Sequence, residues 1–414
     1  MPSDTSQTLP RARVVKRVVG QQIPDDILHN KDLQQAISLL PAHYNFEIHK
    51  TLWRLRVAKA KHVALQFPEG LLMYACIIAD ILETYGGVED TFIMGDVTYG
   101  ACCVDDFSAA ALGADFLVHY GHSCLVPVDV TEIPCMYVFV DISISVDHLV
   151  GTIKKNFQPD SRLVLAGTIQ FASSMHAARA ALAEEFPNIM VPQSRPLSPG
   201  EVLGCTAPKL EGEHDAMVFV SDGRFHLEAL MIANPTLKAF RYDPYVKTLT
   251  EEEYDQEGMR SARQIAVQAA MKADKWGLVL GTLGRQGNPA ILERLQTLLQ
   301  KKGRSFVTVL LSEVTPQKLK SMSHGVEAWV QIACPRLSID WGDEFAKPTL
   351  NPYEAYVALG ETRPWWGEDD SKSMAGSEEG VSIDYPMDYY AASGGPHRSS
   401  YHKPRARVGT RSTT

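Results

Sequence analysis

The 414-residue sequence has few cysteines, no surplus of positive charge and no long apolar run, and each shortage removes a class of function. Seven cysteines (Cys76, Cys102, Cys103, Cys124, Cys135, Cys205 and Cys334) are too few and too scattered for the disulfide framework of a secreted chain. No C-x-x-C pair occurs, which removes the short zinc-ribbon and thiol-redox motifs. The formal net charge of −9 argues against a general nucleic-acid binder, which needs a basic excess to release phosphate counterions, so no direct nucleic-acid partner is expected. The longest apolar runs are strand-sized, such as Met136–Val140, far short of the roughly 18 residues of a membrane span. Residues 1–10 are polar and lack the apolar core of a secretory signal. The expectation is a cytoplasmic protein with no membrane partner. At 45% hydrophobic and 21% charged, its composition excludes wholesale disorder and points to packed domains.

The ends read as appendages. Residues 1–20 are polar and basic and are expected to be disordered, as is most of 365–414 apart from an aromatic island at Tyr385–Tyr390. Pro24–Leu40 carries Ile27, Leu28, Leu33, Ile37 and Leu40 at helical spacing behind Asp25 and Asp26. Between the ends the chain repeats. Three apolar runs beginning at Val63, Leu163 and Leu278 each break into a Gly- or Pro-bearing turn followed by a helical pattern. A second element, an acid followed by an apolar strand, recurs at Asp115, Asp215 and Glu327 with nearly the same period, about 100 residues. The repeat predicts three similar α/β domains at 21–150, 151–265 and 266–364, the first with an N-terminal helix. Strands alternating with helices predict mostly parallel sheets, arranged around a shared central metal-cluster site.

In parallel sheets ligands bind at the carboxyl ends of strands, so functional residues are sought in those loops. Each unit places one cysteine there: Cys102, Cys205 and Cys334. Three thiolates with one open position suit a 4Fe–4S cluster whose remaining iron takes a substrate, and equally suit zinc with a water. Cys103 and Cys124 are competitors from neighbouring loop positions, while Cys76 and Cys135 read as core. Arg285 and Gln286, in the glycine-bearing turn after the third apolar run, are candidates for a cofactor carboxylate, since an arginine offers a bidentate fork. His226 is a weak candidate for proton relay, and His119 and His122 read as structural. Asp105 and Asp106 read as caps of the helix that follows.

These stretches resemble the diphthamide-synthesis family, and within it the subunit 1 branch of the eukaryotic 2-(3-amino-3-carboxypropyl)histidine synthases. The resemblance is carried by Asn45–Lys50, Gly95–Asp106, His119–Cys124, Leu197–Cys205, Asp222–Glu228, Ala233–Pro235, Arg241–Tyr245, Gly281–Gly287 and Ala333–Trp341, and covers about residues 21 to 361, with the tail island Tyr385–Tyr390 also similar. It implies three α/β domains that each give one cysteine, here Cys102, Cys205 and Cys334, to a single 4Fe–4S cluster, with S-adenosylmethionine bound near the open iron. It implies that the reduced cluster breaks the bond between sulfur and the methionine Cγ. The 3-amino-3-carboxypropyl radical so formed adds to a histidine of translation elongation factor 2, the first step of diphthamide biosynthesis. A heterodimer with subunit 2, and a small metal-binding protein as electron donor, are implied likewise. The C-x-x-x-C-x-x-C of ordinary radical S-adenosylmethionine enzymes is absent. Two other readings stay open: a non-catalytic electron-relay or scaffold subunit of the same complex, and a zinc-dependent α/β enzyme.

Overall fold

The computed structural model describes residues 23–96, 98–367, 384–392, 395–399 and 401. The expected disorder of residues 1–20 lies outside the described residues, as does that of most of the tail. Fourteen strands are described. They are β1 (Tyr44–Asn45), β2 (His62–Gln66), β3 (Asp90–Ile93), β4 (Phe116–Tyr120), β5 (Cys135–Val138), β6 (Asp141–Ile142) and β7 (Leu163–Gly167). The others are β8 (Ala216–Val220), β9 (Lys238–Asp243), β10 (Thr248–Glu252), β11 (Lys275–Gly281), β12 (Ser305–Leu311), β13 (Ala328–Ile332) and β14 (Thr349–Leu350).

They form three four-stranded sheets, ordered β3-β2-β4-β5, β7-β8-β9-β10 and β12-β11-β13-β14, with β1 and β6 as a separate antiparallel pair. The first and third sheets are wholly parallel and share one order, second-first-third-fourth. In the middle sheet only β10 runs antiparallel, and the place of a second strand is kept by parallel bridges from Met190 to Val164 and Glu201 to Gly167. The three sheets are therefore one topology, eroded at a single strand. The α/β class with mostly parallel sheets matches what the repeat predicts.

The recurring acid has the same task in each copy. Asp115 accepts from the backbone N–H groups of Lys61 and His62, Asp215 from Arg162, and Glu327 from Asp274 and Lys275. Each carboxylate thus satisfies the N–H groups entering the first strand of its sheet, which would otherwise lie at a strand end without a ladder partner. Central strands β4, β7, β8 and β13 are buried at every position, as expected of sheets covered on both faces, whereas edge strand β12 is partly open. The covering helices follow local chemistry. In Pro289–Lys301, Asn288 caps the Ala290 N–H, proline occupies the first turn, and Ile291, Leu295 and Leu299 form the buried stripe.

Two local expectations change. The N-terminal helical stretch is two short helices, Asp25–Leu28 and Lys31–Ile37, because Asn30 caps the second one through Leu33 N–H. Cys76 is exposed, on the outward face of helix Ala75–Gly86, whereas Cys135 is buried. One apolar cluster spans all three sheets: Ala101 and Leu125 from the first, Met217 and Phe219 from the second, Leu278 and Val330 from the third, joined by Tyr385, Tyr389 and Tyr390 of the tail. No helix among the described residues is long and apolar enough to cross a membrane.

Candidate metal centre

Cys102, Cys205 and Cys334 each lie on a loop at a carboxyl strand end, and the first two pack against that shared cluster. Cys102 lies in the 3-10 turn Ala101–Cys103 that follows β3, the second strand of its sheet. Cys205 follows the bridged segment that stands in for the second strand of the middle sheet. Cys334 breaks this symmetry by following β13, a third strand, and it precedes helix Pro335–Trp341. Its carbonyl accepts from Gln331 Nε2 at 2.8 Å.

The thiols form one electrostatic neighbourhood. Cys102 is held well above the ordinary thiol value by its hydrogen bond with Cys103, by burial, and by the approach of Cys205 and Cys334. Burial and Cys334 push Cys205 up in the same way. Cys334 is pushed up to about 11 by burial, a rise opposed by the backbone N–H and the charge of Arg336. Cys103 remains close, since its thiol bonds Cys102 and is felt by Cys334. Cys124 is exposed, and the groups that act on it are Glu201 and Lys50. Among the described residues no group of three or more His, Cys, Asp or Glu is gathered tightly enough to hold a single metal ion. Three thiols from three loops that sense one another are compatible with a cluster in which each cysteine takes a different iron.

The turn bearing Arg285 and Gln286 presses directly on the Cys102 loop. Arg285 N–H donates to the Cys102 carbonyl at 3.0 Å. Gly284 sits at φ 53°, where a Cβ would come within 2.4 Å of the Cys103 carbonyl oxygen, so only glycine permits this approach. The Arg285 side chain, placed in the sequence as a holder of a cofactor carboxylate, has its fork on another acid. Nε and Nη2 donate to Oδ1 and Oδ2 of fully buried Asp106 at 2.8 and 2.5 Å, and its guanidinium lies 4.0 Å over the Phe107 ring. It clamps the third sheet's turn to the first domain. Asp105 is the true cap, accepting from Ser108 N–H, while Asp106 begins the helix and serves Arg285. The Gln286 side chain lines a small cavity with Ala333, Pro335 and Tyr390.

His226 begins its helix beside the centre. Burial, with His122 and Arg336 nearby, lowers its pKa to about 4, so the ring is neutral at physiological pH. His122 is lowered to about 4 by burial, and burial with His122 beside it holds His119, bonded through Nδ1 to Gln66 Oε1 at 2.8 Å, well below the ordinary imidazole value. Gln66 in turn donates to the Cys103 carbonyl, which makes His119 part of the support of the cysteine loop. His226 Nδ1, His122 Nδ1 and Thr168 Oγ1 are buried without partners. Buried polar atoms are nearly always satisfied, so these three are open to a further partner.

Arg336, one residue from Pro335 in a stretch that drew attention only for Cys334, escapes a reading of the sequence. It donates to the Gly204 and Phe225 carbonyls, to Glu228 and to Asp340, and stacks 4.4 Å over Phe225. It therefore ties the Cys334 loop to the Cys205 loop and to the helix of His226. Apart from Asp340, four residues on, nothing local signals this, because the partners that cross between loops lie 108 to 132 residues away.

A family model for diphthamide synthesis proteins matches residues 67–370. The chain is 53% identical over 386 residues to the 2-(3-amino-3-carboxypropyl)histidine synthase subunit 1 of Dictyostelium discoideum, covering 91% of this chain and 78% of that one. It is 54% identical over 385 residues to the protein of the same name from Homo sapiens, covering 92% and 83%. Its fold is similar to that of Dph2 from Pyrococcus horikoshii in a crystal structure with a 4Fe-4S cluster. There the TM-score is 0.64 and the identity 28%, over 83% of this chain and 97% of that chain.

Proposed function

Because the chain belongs to the diphthamide synthesis family, we propose that it transfers the 3-amino-3-carboxypropyl group of S-adenosylmethionine to a histidine of translation elongation factor 2. An iron–sulfur cofactor is supported by the cluster in its structural relative, and a partner subunit by the name that its sequence relatives carry. The observation that carries the proposal is the approach of one half-buried thiol from a loop of each sheet, Cys102, Cys205 and Cys334, within a single electrostatic neighbourhood.

We assign those three cysteines as the ligands of a 4Fe–4S cluster. When bound, the cluster would supply an electron to the sulfonium and an open iron to orient it, chemistry that breaks the bond from sulfur to Cγ. The chain's own residues supply the rest. Three thiols held in protonated form by burial must each lose a proton as the cluster is loaded, which links loading to pH. Arg285 and Arg336 hold the cysteine loops in register from domain to domain. The apolar cluster around Ala101, Leu203 and Tyr390 keeps water from a reactive carbon centre. Gln286 and the orphaned atoms of His122, Thr168 and His226 are available to the polar groups of S-adenosylmethionine or of the incoming imidazole. His226, neutral and unpartnered at Nδ1, is the group we assign to proton acceptance.

Subunit 2 as the heterodimer partner, a small metal-binding electron donor and a cytoplasmic setting complete the proposal. The test is iron, sulfide and zinc content of the chain purified without oxygen, beside Cys102→Ala, Cys205→Ala and Cys334→Ala. About four irons per chain, lost or degraded in each variant, is the expected outcome for a three-cysteine cluster. Iron that survives all three substitutions, or stoichiometric zinc in its place, overturns it.

A further inference from the structure

Residues 384–401 lie beyond the stretch matched by the family model, which ends at residue 370. A Ser-, Gly- and Arg-rich tail predicts little order past Tyr390, yet the described part keeps contact with the domains as far as Tyr401. Tyr385, Met387, Tyr389 and Tyr390 are only 1 to 4% exposed. The reason is that the tail has partners on the domains themselves. It pairs with the loop of Cys205: Thr206 forms an antiparallel bridge with Asp388, Ala207 N–H donates to the Met387 carbonyl at 2.7 Å, and Tyr389 N–H donates to the Cys205 carbonyl at 3.2 Å. Tyr390 N–H adds a bond to Thr206 Oγ1 at 3.0 Å.

The segment then folds back on itself. Asp388 holds His397 at 2.8 Å and also pairs with Arg398, and Ser399 N–H donates to the Tyr389 carbonyl at 2.8 Å. This return brings Tyr401 against Tyr390, with ring centroids 6.3 Å apart and planes within 19°. Both hydroxyls donate into the same turn of the third domain, Tyr401 to the Arg285 carbonyl at 2.7 Å and Tyr390 to the Gln286 carbonyl at 3.4 Å. Tyr390 stands within the electrostatic reach of Cys102, Cys205 and Cys334 together, and Tyr401 within that of Cys102 and Cys205.

We propose that the described tail residues, 384–392, 395–399 and 401, form a strap that covers the three-cysteine centre, with the stacked rings of Tyr390 and Tyr401 as its inner face. The two tyrosines are positioning residues. Their hydroxyls fix the Arg285–Gln286 turn, the strap backbone fixes the Cys205 loop, and the rings cover the thiols with rigid apolar surface. The function of such a cover is to keep small oxidants and water from the thiols and from whatever they bind. That the covered group is a cluster rests on the function proposed above; the covering itself does not.

The test uses the full chain, free of metal and oxygen, and follows alkylation by a small maleimide at each cysteine by mass spectrometry. In Tyr390→Ala/Tyr401→Ala the strap opens locally, and Cys102, Cys205 and Cys334 are expected to react about tenfold faster or more. Cys76 and Cys124, exposed already, should keep their rates. Asp388→Ala loosens the strap without touching either ring and is expected to raise the same three rates. Tyr390→Phe/Tyr401→Phe keeps the rings but frees the Arg285–Gln286 turn, and should raise the three rates less than the alanine pair does. Unchanged rates at the three cysteines in both alanine variants, or an equal rise at all seven, would overturn the strap. If the parent chain takes up no iron while the three rates still rise, the cluster assignment fails and the strap stands.

Discussion

Replacing Asp106 with alanine removes both carboxylate oxygens on which the Arg285 fork rests, and with them the partner of Glu132 N–H. Breaking a fully buried ion pair from one side costs about 3–5 kcal/mol, because the remaining charge is stranded away from water. Asp106 is fully buried but the Arg285 side chain is 16% exposed, so water relieves part of that penalty and about 2–4 kcal/mol is expected. Urea unfolding of Asp106→Ala, Arg285→Met and the double variant closes a cycle whose coupling energy should be about 2 kcal/mol. A coupling below about 0.5 kcal/mol would refute the clamp, since residues that share no interaction add within that margin. Binding of S-adenosylmethionine to the iron-loaded chain, followed by equilibrium dialysis, separates the two roles open to Arg285. As a clamp on the Cys102 loop, it predicts that Asp106→Ala and Arg285→Met weaken binding by similar factors. A direct contact to the cofactor carboxylate predicts the opposite pattern: Asp106→Ala frees the fork and preserves or tightens binding, and only Arg285→Met weakens it.

Glu354 and Arg263 are 0 and 1% exposed and bonded twice, at 2.7 and 2.8 Å, with Tyr385 of the strap also donating to Glu354. Glu354→Ala is expected to cost about 3–5 kcal/mol in urea unfolding, whereas the paired change to Arg263→Met/Glu354→Leu should recover most of the loss. Gly284→Ala combines a strained left-handed φ with a Cβ placed 2.4 Å from a backbone oxygen of the Cys102–Cys103 turn. It should lower iron content per chain as well as stability, and an unaltered iron content would show that the turn does not set the cysteine geometry. His122 and His226 have folded pKa values near 4, depressed by burial below an unfolded 6.5. Their contribution to stability is complete above pH 6.5 and is lost as the pH falls toward 4, at about 1.4 kcal/mol per pH unit for each ring. The urea midpoint of the metal-free chain should therefore fall between pH 7 and pH 5, less steeply in His226→Gln. A profile that does not change with the substitution would contradict the neutral buried ring.

What the sequence discloses is whatever repeats at short range. The first strands at Val63, Leu163 and Leu278 and the acids at Asp115, Asp215 and Glu327 are legible because each copy must solve the same local problem, an apolar strand with its entering N–H groups satisfied. The cysteine of each unit is legible in the same way, as a thiol in a loop at a carboxyl strand end. Partners that meet only in three dimensions are not. Arg285 and Asp106 stand 179 residues apart, and Tyr401 lies 116 from Arg285, so no periodicity or spacing links them. The erosion of the middle sheet's second strand to bridges at Met190 and Glu201 is likewise invisible, since a segment that keeps two parallel contacts needs no β-branched run. Past the aromatic island the described residues depart from the expectation for a related reason: polar composition predicts little order there, whereas Tyr401 uses a surface that the domains had already built.

A centre made from loops about 100 residues apart cannot be held by any one of the folds that supply it. Three devices bridge the gaps here. Arg285 joins the third domain to the first beside Cys102; Arg336 joins the third to the second beside Cys205; and the strap pairs with the second while its tyrosine hydroxyls hold the third. Each cysteine loop is therefore fixed by a residue from another domain, and none is fixed only by its own. It follows that the three loops should loosen together. Weakening the Arg336 bridge, for instance by Arg336→Met, should raise the maleimide reactivity of Cys102 as well as that of Cys205 and Cys334, although Arg336 makes no hydrogen bond to the Cys102 loop. Reactivity that rises at Cys205 and Cys334 but stays unchanged at Cys102 would mean that the loops are held independently, and that the centre is an adjacency of three sites rather than one.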